Sequence, residues 1–132
     1  MLTGRCHCGQ VTWDFDADPG TVTACNCTIC AKAGVLWIYG TDGDTARITG
    51  ETKAYIRPDH GTLEFHHCPT CGNTIAWRMV DRQQKNPAQC ALNLRLVDDP
   101  EQVMSLPIRH FDGRNTWRAH PDDQRTVQDM WY

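Results

Sequence analysis

The chain has 132 residues with 16 acidic and 13 basic side chains, a formal net charge of −3, which fits one compact domain and offers no basic footprint for nucleic acid. No run of about 18 apolar residues occurs and no positively charged segment precedes an apolar stretch at the N-terminus, so the sequence predicts neither a membrane span nor export, and the cytoplasm is the expected location. Eight cysteines in so short a chain are read, in a reducing compartment, as metal ligands before disulfides.

Taken in order, the chain opens on Gly4-Arg5-Cys6-His7-Cys8-Gly9-Gln10-Val11. A CxC pair in an extended segment points both sulfurs to one side, because side chains alternate with period two. Val11, Trp13 and Phe15 then alternate with Thr12, Asp14 and Asp16 as a strand with one apolar face. Asp18-Pro19-Gly20 turns the chain, and residues 21–24 lead into Cys25-Asn26-Cys27-Thr28-Ile29-Cys30. The run Val35-Leu36-Trp37-Ile38-Tyr39 reads as a buried strand that ends in the turn-rich Gly40-Thr41-Asp42-Gly43-Asp44. Further strands are expected over 46–49, 52–57, 62–67 and 74–80, the last following Cys68-Pro69-Thr70-Cys71-Gly72. Over 89–97, Cys90, Leu92, Leu94 and Leu96 share one face while Asn93 and Arg95 take the other, which makes Cys90 a small core residue. Helix is sparse: a turn over 100–104 and a tail helix over 122–132.

Seven of the eight cysteines therefore lie in three tight clusters. CxC plus CxxC, about sixty residues apart, supplies four thiolates, Cys6, Cys8, Cys68 and Cys71, enough to close a tetrahedral structural zinc site. Gly9 and Gly72 follow the two knuckles, where a positive φ turns backbone N–H groups toward sulfur. Spacing alone does not forbid other pairings. The middle cluster offers only Cys25, Cys27 and Cys30, and three thiolates leave a coordination position open for water or substrate. A thiol is the natural occupant, because coordination lowers its pKa. The alternatives are a second structural site completed by a histidine or by Cys90, and a metal-free redox cluster. With both zinc sites filled the chain would carry about −6 rather than −3.

Among the histidines, His66 and His67 precede the last knuckle and occupy opposite sides of a strand, as neighbours or surface residues rather than ligands. His110 is a candidate for acid–base help or for packing, and His7, His60 and His120 look incidental. Trp13, Trp37 and Trp77 are expected in the core, and Trp117 and Trp131 cover the sheet or line a pocket.

The three clusters in this order, with Phe65 to Gly72, Leu96-Val97-Asp98-Asp99-Pro100 and the closing Ile108-Arg109-His110-Phe111 with Trp117, resemble the family of glutathione-dependent formaldehyde-activating enzymes and centromere protein V. The resemblance covers 2–118 and leaves 119–132 as a C-terminal tail. It implies an all-β fold, a small β-tent of antiparallel sheets with zinc-binding knuckles and little helix. It implies two zincs, a structural one on the first and last cysteine pairs and a catalytic one on Cys25, Cys27 and Cys30. The implied activity is that of a carbon–sulfur lyase acting on a glutathione–aldehyde adduct or a similar small thiol conjugate. The centromere relative implies the alternative, a non-catalytic zinc-stabilised binding module. Ala31 and then Lys32 stand where many members carry a basic residue directly after the third cysteine of the middle cluster, and His66 and His67 separate Phe65 from Cys68.

Overall fold

A computed structural model describes residues 1–121 and 123–131. Eleven short strands and two short helices occur among them: β1 (Leu2–Arg5), β2 (Thr12–Phe15), β3 (Val22–Cys25), α1 (Thr28–Ala33), β4 (Trp37–Thr41), β5 (Ala46–Thr49), β6 (Lys53–Ile56), β7 (Leu63–His67), β8 (Thr74–Met79), β9 (Gln89–Asn93), β10 (Ile108–Asp112), β11 (Arg118–Ala119) and α2 (Val127–Trp131). They build a three-stranded sheet in the order β1-β2-β5 and an eight-stranded sheet in the order β11-β10-β3-β4-β9-β8-β7-β6. The expected all-β class with little helix is what the chain adopts. Between these strands every ladder is antiparallel except β10 with β3, which run parallel with Ile108 opposite Val22 and Phe111 opposite Cys25.

Alternation along the central strands explains the continuous apolar runs. Leu36 and Ile38 of the β4 region, with Cys90 and Leu92 of β9, point into the core shared with Trp13 and Phe15 of the small sheet. Trp37 and Ala91 point the other way, onto a second cluster with Phe65, Cys27 and Cys30. Both faces of this part of the sheet are covered, so no polar face is required of its strands. On β2 the smaller sheet keeps the simple pattern, with Val11, Trp13 and Phe15 buried as their spacing predicts. At the outer edge β6 is exposed along its whole length.

Three expectations are corrected. Cys6 and Cys8 lie in the turn after β1 rather than on a strand; the turn, and not the pleat, brings their sulfurs together. The strand over 89–97 stops at Asn93, where the Asn93 side chain accepts from the Arg95 amide and starts a 3-10 turn over Leu94–Leu96. Asn93 itself is buried rather than on a polar face. The predicted turn over 100–104 shortens to a 3-10 turn at Pro100–Gln102 with Asp99 as its cap. Of the predicted tail helix, Val127–Trp131 is helical, while Asp122 and Tyr132 lie outside the described residues. This segment packs back on the fold, with Val127 buried and Met130 and Trp131 against the main core.

Asn93 links three strands. Its Oδ1 accepts from the Leu36 and Arg95 amides at 3.3 and 3.2 Å, and its Nδ2 donates to the Thr74 carbonyl at 2.8 Å. An Asn93→Asp variant keeps the shape, loses only the donor, and places a charge beside an unpaired buried carbonyl. It is expected to lower the unfolding free energy by about 2–3 kcal/mol at neutral pH in urea denaturation; an unchanged midpoint would show that this bond contributes nothing.

Candidate metal centres and an aromatic cavity

Cys6, Cys8, Cys68 and Cys71 form one group of sulfurs and Cys25, Cys27 and Cys30 another, with the atoms of each group all within 4.8 Å of one another. Both sets expected from the spacing are thus brought together, and every cysteine is free of disulfide.

The first set joins the two sheets. Cys6 and Cys8 follow β1 of the small sheet, and Cys68 and Cys71 sit in the turn between β7 and β8 of the large one. Sulfur–sulfur distances are 3.5 Å for Cys6–Cys8 and 3.6 Å for Cys8–Cys68, close to the roughly 3.8 Å edge of a tetrahedron with metal–sulfur bonds of about 2.3 Å. Each knuckle closes on a glycine at positive φ: Gly9 (79°) and Gly72 (77°), whose amides donate to the carbonyls of Cys6 and Cys68 at 2.9 Å. The Val11 amide donates to Cys6 Sγ at 3.3 Å.

The second set is built from the end of β3 and the start of α1. Cys25 closes the strand, Cys27 occupies the N-cap of the helix and Cys30 lies within it, so strand and helix geometry converge three sulfurs from six residues of chain. The Cys27 amide donates to Cys25 Sγ at 3.4 Å and the Trp37 indole N–H to Cys30 Sγ at 3.3 Å. Cys90, buried in the core with its thiol pushed up to about 12 by desolvation, joins neither group, and neither does a histidine among the described residues.

The donor sets suit a soft dication. In the four-sulfur group the Asn73 and Cys8 amides hold Cys71 down to about 6. Cys8, although the Gln10 amide donates to it, is pushed up to about 12 by desolvation and by its three sulfur neighbours. In the three-sulfur group the hydrogen bond from Cys30, with help from the Cys27 and Gly113 amides, holds Cys25 down to about 6 despite burial, while Cys30 is raised by Cys25 and by burial. Sulfurs held this close cannot all ionise unless a cation lies among them. Both groups could hold metal, and their all-thiolate chemistry is compatible with zinc.

The three-sulfur group faces a cavity of about 170 Å³. Trp37 and Tyr39 of β4, Leu63 and Phe65 of β7 and Trp77 of β8 form one side. Phe111 of β10 and Trp117 form the other, and Arg57, His60 and Thr62 from the loop between β6 and β7 complete the rim. Tyr39 and Trp77 meet edge to face at 5.9 Å, and Phe111 and Trp117 at 5.3 Å. His60 stacks on Trp117 at 5.9 Å with planes 16° apart. The Arg57 guanidinium is gripped by Asp59 through two bonds of 3.0 and 2.7 Å. That bond raises its pKa, against desolvation, and the charges of Cys27 and Cys30 add to the rise.

Several sequence expectations change here. His60, read as incidental, lies on the cavity, whereas His110 is held between Asp123, at 2.5 Å, and Arg125 and does not line it. His66 is buried, bonded through Nδ1 to Thr52 and through Nε2 to Glu64 at 2.7 and 3.0 Å, apart from both cysteine groups. Trp77 is half-buried wall rather than core. No basic residue follows Cys30 directly, and the cation on the cavity lining is Arg57, from the loop between β6 and β7. Nothing in the periodicity of residues 57–62 marks them, since turn residues and function share the same composition.

Gly113 packs directly against the three-sulfur group. A Cβ there would stand 2.8 Å from Cys25 Sγ and 3.0 Å from Cys27 Cβ, so no side chain fits. Its loop is ordered by Asp112, which accepts from the Asn115 and Thr116 amides, the Thr116 hydroxyl and Asn26 Nδ2 at 2.9–3.2 Å.

A mostly antiparallel β domain carrying a four-cysteine knuckle pair and a separate three-cysteine group at the floor of a cavity defines a class of two-centre cysteine-cluster proteins. The chain belongs to the glutathione-dependent formaldehyde-activating enzyme family, whose profile matches residues 1–111. A Rhodobacter sphaeroides protein, whose crystal structure was determined as a structural-genomics target, has the same fold, with a TM-score of 0.61 and 19% identity over 80% of this chain and 98% of that one. No curated protein sequence matches the chain, and no helix among the described residues is long and apolar enough to cross a membrane.

A Gly113→Ala variant is expected to retain the metal of the four-sulfur group and to bind the second metal at least about tenfold more weakly, because the methyl group must displace Cys25. Titration with zinc against a chromophoric chelator measures both sites.

Proposed function

We propose that the chain is a zinc-dependent carbon–sulfur lyase that interconverts a thiol–aldehyde adduct with its free thiol and aldehyde, glutathione being the thiol that the family points to. The observation that carries this reading is the contrast between the two cysteine groups: four sulfurs close one site, while three sulfurs open onto the cavity. Cys6, Cys8, Cys68 and Cys71 would hold a structural zinc, and Cys25, Cys27 and Cys30 a catalytic one. A zinc ion bound by the three cysteines supplies a lowered thiol pKa, so that sulfur enters or leaves as thiolate near neutral pH.

The chain's own groups account for the rest. In the cleavage direction the adduct hydroxyl loses its proton, the C=O bond forms and the C–S bond breaks; the proton ends on the thiol and no oxidation state changes. His60 is the imidazole on the cavity rim and takes and returns that proton. Arg57, fixed by Asp59 through two of its five N–H groups, offers one of the others to the oxygen as it gains charge. The apolar walls exclude water that would compete for both donors.

Elemental mass spectrometry on reduced protein is expected to find two zincs per chain, one of them lost in Cys27→Ser with thermal unfolding little changed. Cys68→Ser is expected to lose the structural metal and most of the stability. Exchange NMR on the adduct of formaldehyde with glutathione should show interconversion faster than the spontaneous rate, abolished in Cys27→Ser and lowered about a hundredfold in His60→Gln. Two bound zincs with no acceleration of any adduct would reduce the chain to a zinc-stabilised binding module.

A further inference from the structure

The cavity over the three cysteines is larger and less polar than a one-carbon unit needs. Formaldehyde contributes one carbon and one oxygen, whereas an apolar protein cavity of about 150 Å³ takes up a whole benzene ring. This one measures about 170 Å³, and six of its lining side chains are aromatic. Its cationic side chain, Arg57, has one edge of its fork occupied and its charge balanced by Asp59, so the lining offers the carboxylates of a peptide thiol only the other edge of an already paired guanidinium.

The mouth repeats the pattern. Trp117 is 60% exposed and holds φ at 60°, a backbone state that is uncommon for a bulky residue and stored where something compensates. The compensation is the packing of its ring on Phe111 and His60, which sets the indole across the rim. The chain spends backbone strain to extend the aromatic wall.

We propose that the substrate is an adduct whose carbonyl-derived half is a ring-sized apolar group, that of an aromatic or branched aldehyde, and that Trp77, Leu63 and Trp117 select it over the one-carbon adduct. This rests on the thiol–aldehyde lyase reading. The thiol's polar remainder stays at the mouth, and the apolar half fills the space between β7, β8 and the loop over 113–117. Cleavage breaks the same C–S bond, passes the hydroxyl proton to the departing thiol and releases the larger aldehyde.

Two stable thioethers, S-benzylglutathione and S-methylglutathione, place a ring or a single carbon on the same sulfur and can be titrated into zinc-loaded protein by calorimetry and by indole fluorescence. The benzyl compound is expected to bind at least about tenfold more tightly. Most of that preference should disappear in Trp77→Ala and in Trp117→Gly, the second of which changes an exposed residue, relieves its backbone and leaves the core intact. Equal affinities, or tighter binding of the methyl compound, overturn the size selection while one-carbon turnover, if present, leaves the lyase reading standing. Failure of both compounds to bind, with no adduct accelerated, overturns the lyase reading and this inference with it.

Discussion

Four sulfurs drawn from residues as far apart in the chain as Cys6 and Cys71 must meet within 4.8 Å of one another, and much of the fold is arranged to permit it. The small sheet supplies two of them and the large sheet the other two. The meeting point therefore fixes how the sheets lie on each other, a task that short strands with few side chains each perform weakly. The glycines at the two knuckles allow the turns, and the amide of Val11, at the entry to β2, is spent on Cys6 Sγ. Two strand termini and one hairpin turn are thus committed to a single small volume, while the apolar core between the sheets grows around it.

The three-sulfur group answers to different physics. It lies at the end of β3, on the face of the large sheet that the small sheet does not cover. Aromatic side chains cover that face instead, and because they meet at tilted and edge-on angles they leave space between them. A flat stacking of aliphatic residues would have filled it. The same alternation that sends Leu36 and Ile38 to the core sends Trp37 and Tyr39 to the cavity, so scaffold and site share one strand.

Much of this was legible in the residues. The cysteine spacings divided into four and three because ligand number follows directly from composition, and the strands with clean alternation, such as Val11 to Phe15, fell where expected. The failures have physical causes. Cys6 and Cys8 converge by a turn because a glycine at positive φ overrides the pleat. The run from Cys90 to Leu96 breaks at Asn93 because a side-chain cap competes successfully with strand pairing. Arg57 and Gly113 went unread and His60 was read as incidental because their positions beside the three sulfurs depend on loops meeting across the fold, and no local pattern encodes that meeting. The parallel pairing of β10 with β3 is likewise a long-range choice that neither strand's sequence announces.

That parallel pair has a temporal side. Asn26, between two of the cavity's cysteines, and Asp112, which orders the covering loop, are 86 residues apart, and a parallel contact of such separation closes late because its loop entropy must be met first. On a growing chain Cys25, Cys27 and Cys30 emerge long before Phe111, Gly113 and Trp117 exist to enclose them. The thiols are open to metal and to oxidant throughout that interval. Enclosure of the three sulfurs is thereby a late step of folding, set by how soon β10 finds β3.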